Sequence, residues 1–212
     1  MRADYANVEM WGKILPRMSE GNALACRCAL ETGLRVGDVL KIRPRDIRGN
    51  TLTFKAEKTG KKGQKTLSND LAKALRRNAA GGKWCFPSPR TDNHRTRQAV
   101  WKDVKKAAAE VGIPLQISPH SARKTYAVNT LHEFGIERVQ EELQHGSREV
   151  TALYAYADVM REGGDRLPPI DGNGDSLINY EYLAGLVADI VVRRLILYFE
   201  KCEHNSQNQK GA

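Results

Sequence analysis

The chain has 212 residues, of which 41% are hydrophobic, enough for one substantial core with an appended element. Its 34 lysines and arginines outnumber its 25 aspartates and glutamates, giving a net charge of +9. The expected partner is an acidic polymer, although ribosomal, membrane-surface and many ordinary cytosolic proteins are also basic. The sequence lacks the pattern of a signal peptide, and charged residues interrupt its most apolar stretch near 183–199, so neither a secreted nor a membrane-spanning protein is expected.

Apolar periodicity and capping residues predict a mainly helical α+β chain with one small antiparallel sheet. The predicted helices cover residues 22–33, 36–47 with a break at Pro44, 69–79, 95–112, 118–135 and 136–146. Alternating apolar residues predict a strand within 50–58, and a glycine-containing turn at 60–63 leads into a second strand over 64–68. Residues 78–94 are predicted to form a loop from their glycine, proline and asparagine content.

Two helix boundaries carry strong signals. The first predicted helix ends at Gly33, a typical C′ residue, and Arg35 lies just beyond this stop. The helix over 118–135 opens with Ser118 as N-cap and Pro119 at the first helical position.

The C-terminal part of the chain contains a tyrosine pair and a final apolar helix. Ser147 can cap a helix that carries Tyr154 and Tyr156. The expected organisation is one domain, a linker, a final helix and a disordered tail, over residues 1–160, 161–176, 177–201 and 202–212.

No metal site is expected from the sequence. The cysteines form neither a CxxC pair nor a His/Cys cluster, and they are predicted to be reduced thiols in a cytosolic protein: Cys26, Cys28, Cys85 and Cys202. The stretch 171–182 carries the first, third and fifth ligands of an EF-hand loop, but Ser176 replaces the glycine and Tyr182 the bidentate glutamate. A polar linker that caps the last helix is therefore favoured over calcium binding.

Five residues could form an anion site. His120 and Arg123, spaced i, i+3 in the first turn of a capped helix, share one face beside its positive end. Arg35 could supply a second guanidinium, and Lys58 lies at the mouth of the predicted hairpin. His145 closes a helix, where the dipole favours its protonated form. Taken singly, each is more often a solvated surface residue, and a tyrosine in an apolar helix is more often a core residue.

The order of these residues resembles that of the tyrosine recombinase/integrase family, which includes phage integrases and Xer-type recombinases. The matching stretches run in the family's order over about residues 20–158: "ETGLRVGDVLKI", "KTGKKGQKTL", "SPHSARKTYA" and "LQHGSREVTALYAYAD". In such enzymes the nucleophilic tyrosine follows the second histidine by nine residues, and here Tyr154 follows His145 by nine. Residues two apart on a helix point about 200° apart, so Tyr156 cannot face the same site as Tyr154.

The chain departs from the family pattern at three points. Gln144 stands where the family usually has glycine, and Ala122 stands where a bulky apolar residue is common. An N-terminal helical domain of roughly a hundred residues, usual in the family, has no counterpart in this sequence. The chain is therefore either a catalytic fragment of a longer protein or a minimal member.

The resemblance implies a tyrosine recombinase catalytic-domain fold and a defined set of roles. Arg35, Arg123 and His145 would donate hydrogen bonds to the scissile phosphate, Lys58 would protonate the departing 5′ oxygen, and His120 would assist proton removal from Tyr154. The product would be a 3′-phosphotyrosyl link and a free 5′ hydroxyl, with neither ATP, metal nor another cofactor required. Asp38, three residues after Arg35, is a candidate to orient an active-site side chain.

The expected partner is double-stranded DNA, with self-association into a tetramer on DNA, accessory DNA-bending proteins and no membrane. The expected location is cytoplasmic and nucleoid-associated. The final helix would dock either on its own catalytic domain or on a neighbouring protomer. Two other functions stay open: a non-catalytic, sequence-specific DNA-binding protein, and an enzyme similar to type IB topoisomerases, although the "TGLR" and "LQH" stretches look more like integrases.

Overall fold

The structure is a computed structural model that describes residues 3–142, with side chains described through residue 130 and at 133 and 134. The chain divides into two compact units, residues 1–127 and 128–212. The fold and the candidate site described below lie in the first unit. The predicted tyrosine helix, linker, final helix and tail lie outside the described residues.

Helices form most of the first unit. Their bounds are Val8–Ile14 (α1), Glu20–Thr32 (α2), Val36–Leu40 (α3), Asn69–Ala79 (α4) and Arg97–Glu110 (α5), followed by Pro119–Glu142 (α6), which continues into the second unit. Short 3₁₀ turns at Leu15–Arg17 and Pro44–Asp46 follow α1 and α3. Helix α2 is central, since it packs against α3, α4 and α5.

A three-stranded antiparallel sheet lies between α3 and α4 in the chain. Its strands are Ile47–Arg48 (β1), Thr51–Lys55 (β2) and Lys62–Thr66 (β3), in the order β1-β2-β3. The register pairs Thr51 with Thr66 and Lys55 with Lys62. The hairpin between β2 and β3 was predicted, whereas β1 was not, because a strand of two residues carries almost no alternation in its sequence.

The core is built from large apolar side chains contributed by most of these elements. Those with almost no solvent exposure include Trp11, Ile14, Leu40, Leu52, Leu71, Leu75, Phe86 and Val100. The Trp11 indole Nε1–H also donates to Thr125 Oγ1 at 3.0 Å, so α1 is attached to the first turns of α6. Sequence patterning did not predict α1.

Two helix boundaries compare differently with the predictions. Helix α2 ends as expected, because Gly33 adopts the left-handed conformation with φ of +69° that glycine reaches without a Cβ clash. The predicted stop at Gly135 is wrong: α6 runs without interruption to Glu142. Glycine inside a helix costs only about 1 kcal/mol relative to alanine, which does not suffice to end this helix.

The thiols within the described residues are free, in line with the predicted reduced state, and they are also buried. Burial raises the pKa of Cys28 and of Cys85 to about 12 and also raises the pKa of Cys26. These three side chains therefore stay protonated at neutral pH and pack as small apolar groups. Cys202 lies outside the described residues.

Candidate active site

Arg35 is placed by the end of α2. The left-handed turn at Gly33 stops the helix, and two residues later Arg35 adopts an extended conformation (φ −67°, ψ 142°) as the N-cap of α3. Its own carbonyl begins α3 by accepting the backbone N–H groups of Asp38 and Val39. The side chain is half-buried and lines a cleft.

His120 and Arg123 come from the first turns of α6. The hydroxyl of Ser118 accepts the backbone N–H of His120 at 3.3 Å, and its carbonyl accepts that of Ser121 at 2.8 Å, so Ser118 contributes to the helix start as predicted. Arg123 is only 4% exposed, and its Nη1 donates to the carbonyl of Gly33 at 2.5 Å. Gly33, at the end of α2, therefore binds the Arg123 guanidinium through its carbonyl and lies two residues before Arg35.

Lys58 lies in the loop of the β2–β3 hairpin, and Asp38 fixes the base of that loop. The Asp38 Oδ1 atom accepts the backbone N–H of Glu57 at 2.9 Å, and its side chain is buried. The Glu57 carboxylate in turn contacts Lys41 Nζ at 2.6 Å. Asp38 therefore positions the backbone next to Lys58, whereas the sequence had suggested contact with an active-site side chain.

The structure brings four of the six predicted catalytic residues to one cleft of about 390 Å³. The lining includes Arg35, Lys58, His120 and Arg123, together with Asp38, Glu57 and Arg97. Both carboxylates in this set already have partners within the protein. The cleft therefore presents an excess of positive charge, which suits a phosphodiester.

Sequence reasoning did not single out Arg97 or Glu57 as cleft residues. Thr96 caps α5 by accepting the backbone N–H of Ala99 at 3.1 Å, which makes Arg97 the first residue of the helix. The sequence does contain the capping residue Thr96, which could have predicted the start of α5. The position of Arg97 in the cleft, however, depends on tertiary packing. For Glu57 the sequence offers no signal beyond its position before Lys58.

Burial and neighbouring cations both affect the protonation of His120. Partial removal from water, together with three neighbouring positive charges, lowers the pKa of His120 to about 4. The neighbours, in decreasing order of effect, are Arg123, Lys124 and Arg35. His120 is an exposed residue, so solvent moderates both the effect of burial and the effect of the neighbouring charges. His120 is neutral at pH 7, and a neutral imidazole can accept a proton.

The two remaining predicted catalytic residues, His145 and Tyr154, lie outside the described residues, as do Tyr156 and the EF-hand-like stretch 171–182. Within the described part of the chain, no group of three or more His, Cys, Asp or Glu side chains could hold a metal ion. In that same part, no helix is both long enough and apolar enough to span a membrane.

The chain is similar to known integrases and recombinases in sequence. The model of the phage integrase family matches residues 13–161. A putative integrase/recombinase, y4qK of Sinorhizobium fredii, is 32% identical over 130 residues, covering 58% of this chain and 42% of the relative. Tyrosine recombinase XerD of Listeria monocytogenes is 31% identical over 144 residues, covering 61% of this chain and 48% of the relative. The chain thus spans less than half the length of these curated relatives.

Solved structures show the same fold. The lambda integrase catalytic core matches with a TM-score of 0.59 and 21% identity, covering 68% of this chain and 92% of that core. Lambda integrase bound to DNA matches with a TM-score of 0.65 and 20% identity, covering 79% of this chain and 65% of that one. The predicted fold, a mainly helical integrase catalytic domain with a small antiparallel sheet, is confirmed. With a family model matching more than half of its residues, the chain belongs to the phage integrase family.

Proposed function

We propose that this chain carries the activity of a site-specific DNA recombinase, which breaks and rejoins strands through a 3′-phosphotyrosyl intermediate. The observation that carries the proposal is the single cleft lined by Arg35, Lys58, His120 and Arg123. These residues come from distant segments of the chain, yet they line one cleft.

The first step is binding of the scissile phosphate. Arg35 and Arg123 would hold its non-bridging oxygens, because a guanidinium offers paired donors with the geometry of a phosphate. The hydrogen bond from Arg123 to the carbonyl of Gly33 keeps one guanidinium in place before DNA arrives. Donors that need no rearrangement stabilise the five-coordinate transition state most effectively.

The second step is attack by the Tyr154 oxygen on phosphorus. The tyrosine O–H needs a base because its free pKa is near 10, and the neutral imidazole of His120 can receive that proton. The new bond joins the tyrosine oxygen to the 3′ phosphate, and the bond to the 5′ oxygen breaks. The departing oxygen takes a proton from Lys58. His145 would add a further donor to the phosphate.

The reverse step reseals DNA. A 5′ hydroxyl, from the same or another strand, attacks the phosphotyrosyl link and releases Tyr154, so that the number of phosphodiester bonds is conserved. Asp38 acts in both directions as a positioning residue, since its contact with the Glu57 backbone limits how far the Lys58 loop can move.

The proposed partner is double-stranded DNA, on which several copies of the protein assemble, with a tetramer as the expected form. A lambda integrase tetramer bound to a Holliday junction is among the similar structures, at 21% identity and a TM-score of 0.62. We also propose that accessory DNA-bending proteins take part in the assembly and that the protein is located at the nucleoid.

A pool of nicked duplexes with randomised core sequence tests this function whatever the target sequence is. Cleavage near the nick releases a short fragment and traps the covalent complex. We expect a complex stable to denaturant, recovered with an enriched core sequence and linked through Tyr154 by peptide mass spectrometry. A non-catalytic DNA-binding protein would yield no such complex, and an enzyme similar to type IB topoisomerases would yield complexes without sequence enrichment.

A further inference from the structure

A second cavity, of about 400 Å³, lies on the first unit apart from the active-site cleft. Its lining consists of Arg43, Pro44, Arg45, Gly82 and Lys83, with no acidic residue among them. It joins the 3₁₀ turn that follows α3 to the loop that follows α4. Three positive charges from two separate segments therefore surround one concave space.

The indole ring of Trp84 contacts two of these cations, Arg43 and Lys83. The Arg43 guanidinium carbon lies 4.7 Å from the ring centroid and Lys83 Nζ lies 5.1 Å from it. Cation–π attraction of this kind holds two like charges near each other without neutralising either. Asp46 does not neutralise them from inside the cavity, because it accepts the backbone N–H of Arg43 at 2.9 Å and is not part of the lining.

Trp84 also contributes an unsatisfied donor beside these cations. Its Nε1–H is buried and has no hydrogen-bond partner among the described residues. A buried polar group without a partner costs about 1–3 kcal/mol. The cavity lining itself offers guanidinium and ammonium groups, which are all donors and suit an anion with several oxygens.

The position of the cavity favours a nucleic-acid phosphate over an acidic peptide. The Trp84 ring meets His94 edge-on, with centroids 5.1 Å apart. His94 is in turn close enough to Glu57 to help lower its pKa, after the larger effects of Lys41 and Arg97. Glu57 lines the active-site cleft, so His94, which contacts Trp84, is within electrostatic range of a cleft residue. A DNA strand that places one phosphate in the cleft has further phosphates at regular spacing along its backbone.

We infer that the cavity formed by Arg43, Arg45 and Lys83 binds a backbone phosphate of the DNA substrate, at a position flanking the phosphate that is cleaved. The inference rests on the proposed function, because it assigns the ligand from the proposed substrate. Its contribution is to affinity and to placement of the duplex, since these cations lie outside the cleft where bonds are broken.

The test measures the salt dependence of DNA binding by the full chain. A fluorescein-labelled duplex of mixed sequence is titrated from roughly 50 to 200 mM salt, where each phosphate contact contributes about 0.9 to the slope of log K against log salt. We expect Arg43→Ala/Lys83→Ala to remove this one phosphate contact, reducing the slope by about 0.9 with roughly tenfold weaker binding, and Lys83→Ala to account for a measurable part of that reduction. Lys73→Ala, which removes an exposed lysine of α4, is the matched control.

Two outcomes would overturn the inference. One is an unchanged slope in both variants, and the other is a slope that Lys73→Ala reduces equally, which would indicate a general charge effect. Lys83 is an exposed loop residue, so its single variant decides the question even if the double variant is less stable. Covalent complex formation should be unchanged in the control variant Lys73→Ala. If the wild-type protein forms no covalent complex, the proposed cleavage fails, while the slopes still decide whether this cavity contacts DNA.

Discussion

Substitution of Arg123 separates the structural from the chemical contribution of one guanidinium. Its hydrogen bond to the Gly33 carbonyl is buried, and loss of a bond to a charged group costs about 1.5–3 kcal/mol of folding free energy. Loss of one preorganised donor to the transition state costs about 3–4 kcal/mol. Arg123→Ala should therefore lower the free energy of unfolding modestly and slow cleavage by two to three orders of magnitude.

The two effects are measured independently. Urea unfolding gives the change in stability, and single-turnover cleavage of a nicked duplex at saturating DNA gives the chemical rate, at a temperature where circular dichroism shows the variant to be folded. Arg123→Lys should cleave at an intermediate rate, since it keeps the charge but loses the paired donors. Lys73→Ala provides the control for removal of a positive charge. If folded Arg123→Ala cleaves within about tenfold of the wild type, the assigned transition-state contact is wrong.

Three further predictions concern other parts of the mechanism. Tyr154→Phe should abolish the covalent complex and Tyr156→Phe should retain it, because only Tyr154 lies nine residues after His145; an adduct trapped with Tyr154→Phe would refute the assignment. His120 has a pKa of about 4 in the folded chain and about 6.5 when unfolded, so the unfolded state binds more protons between these values and stability falls as pH drops from 6.5 to 4. Melting temperatures of His120→Gln should show a shallower decline, and identical profiles would contradict this origin. Truncation after Asp165 should reduce cross-linking between protomers on DNA and alter cleavage, and a truncated chain that assembles and cleaves normally would exclude the tail from assembly.

Local signals in the sequence were sufficient for much of the fold. Helix α4 has the predicted bounds of 69–79, because Ser68 caps its start and its apolar face has helical spacing. The α2 stop at Gly33 was equally predictable, since a left-handed C′ residue is a local requirement. A helix or strand can be predicted from its own sequence when the residues of that one segment are sufficient to form it.

The incorrect and missing predictions concern elements whose local sequence signal is weak or misleading, or that depend on a contact elsewhere in the chain. Strand β1 is two residues long and is defined by its pairing with β2, and α1 is secured by the contact of Trp11 with Thr125, 114 residues away. Gly135 has local preferences that oppose a helix, yet α6 continues through it.

The same distinction applies to the candidate site. Family resemblance, carried by motif order, identified the four residues that the cleft brings together. It could not specify that Asp38 contacts the backbone of Glu57, or that Arg97 joins the lining, because both depend on packing between elements. The cavity beside Trp84 is also invisible in the sequence, where its cations belong to segments about 40 residues apart.

The segment Gly33 to Arg35 supports both guanidinium groups of the cleft. The Gly33 carbonyl accepts the hydrogen bond from Arg123, and Arg35 carries the second guanidinium on its own side chain. A displacement of this segment would move both guanidinium groups together and preserve the distance between them. The phosphate would then meet the same pair of donors after a shift of the α2 end. A residue with a Cβ at Gly33 would have to adopt φ of +69° at a cost of about 1–2 kcal/mol. Relaxing that strain would misplace both donors at once. Defects at Gly33 and at either arginine would then be less than additive, as expected for groups that share one support.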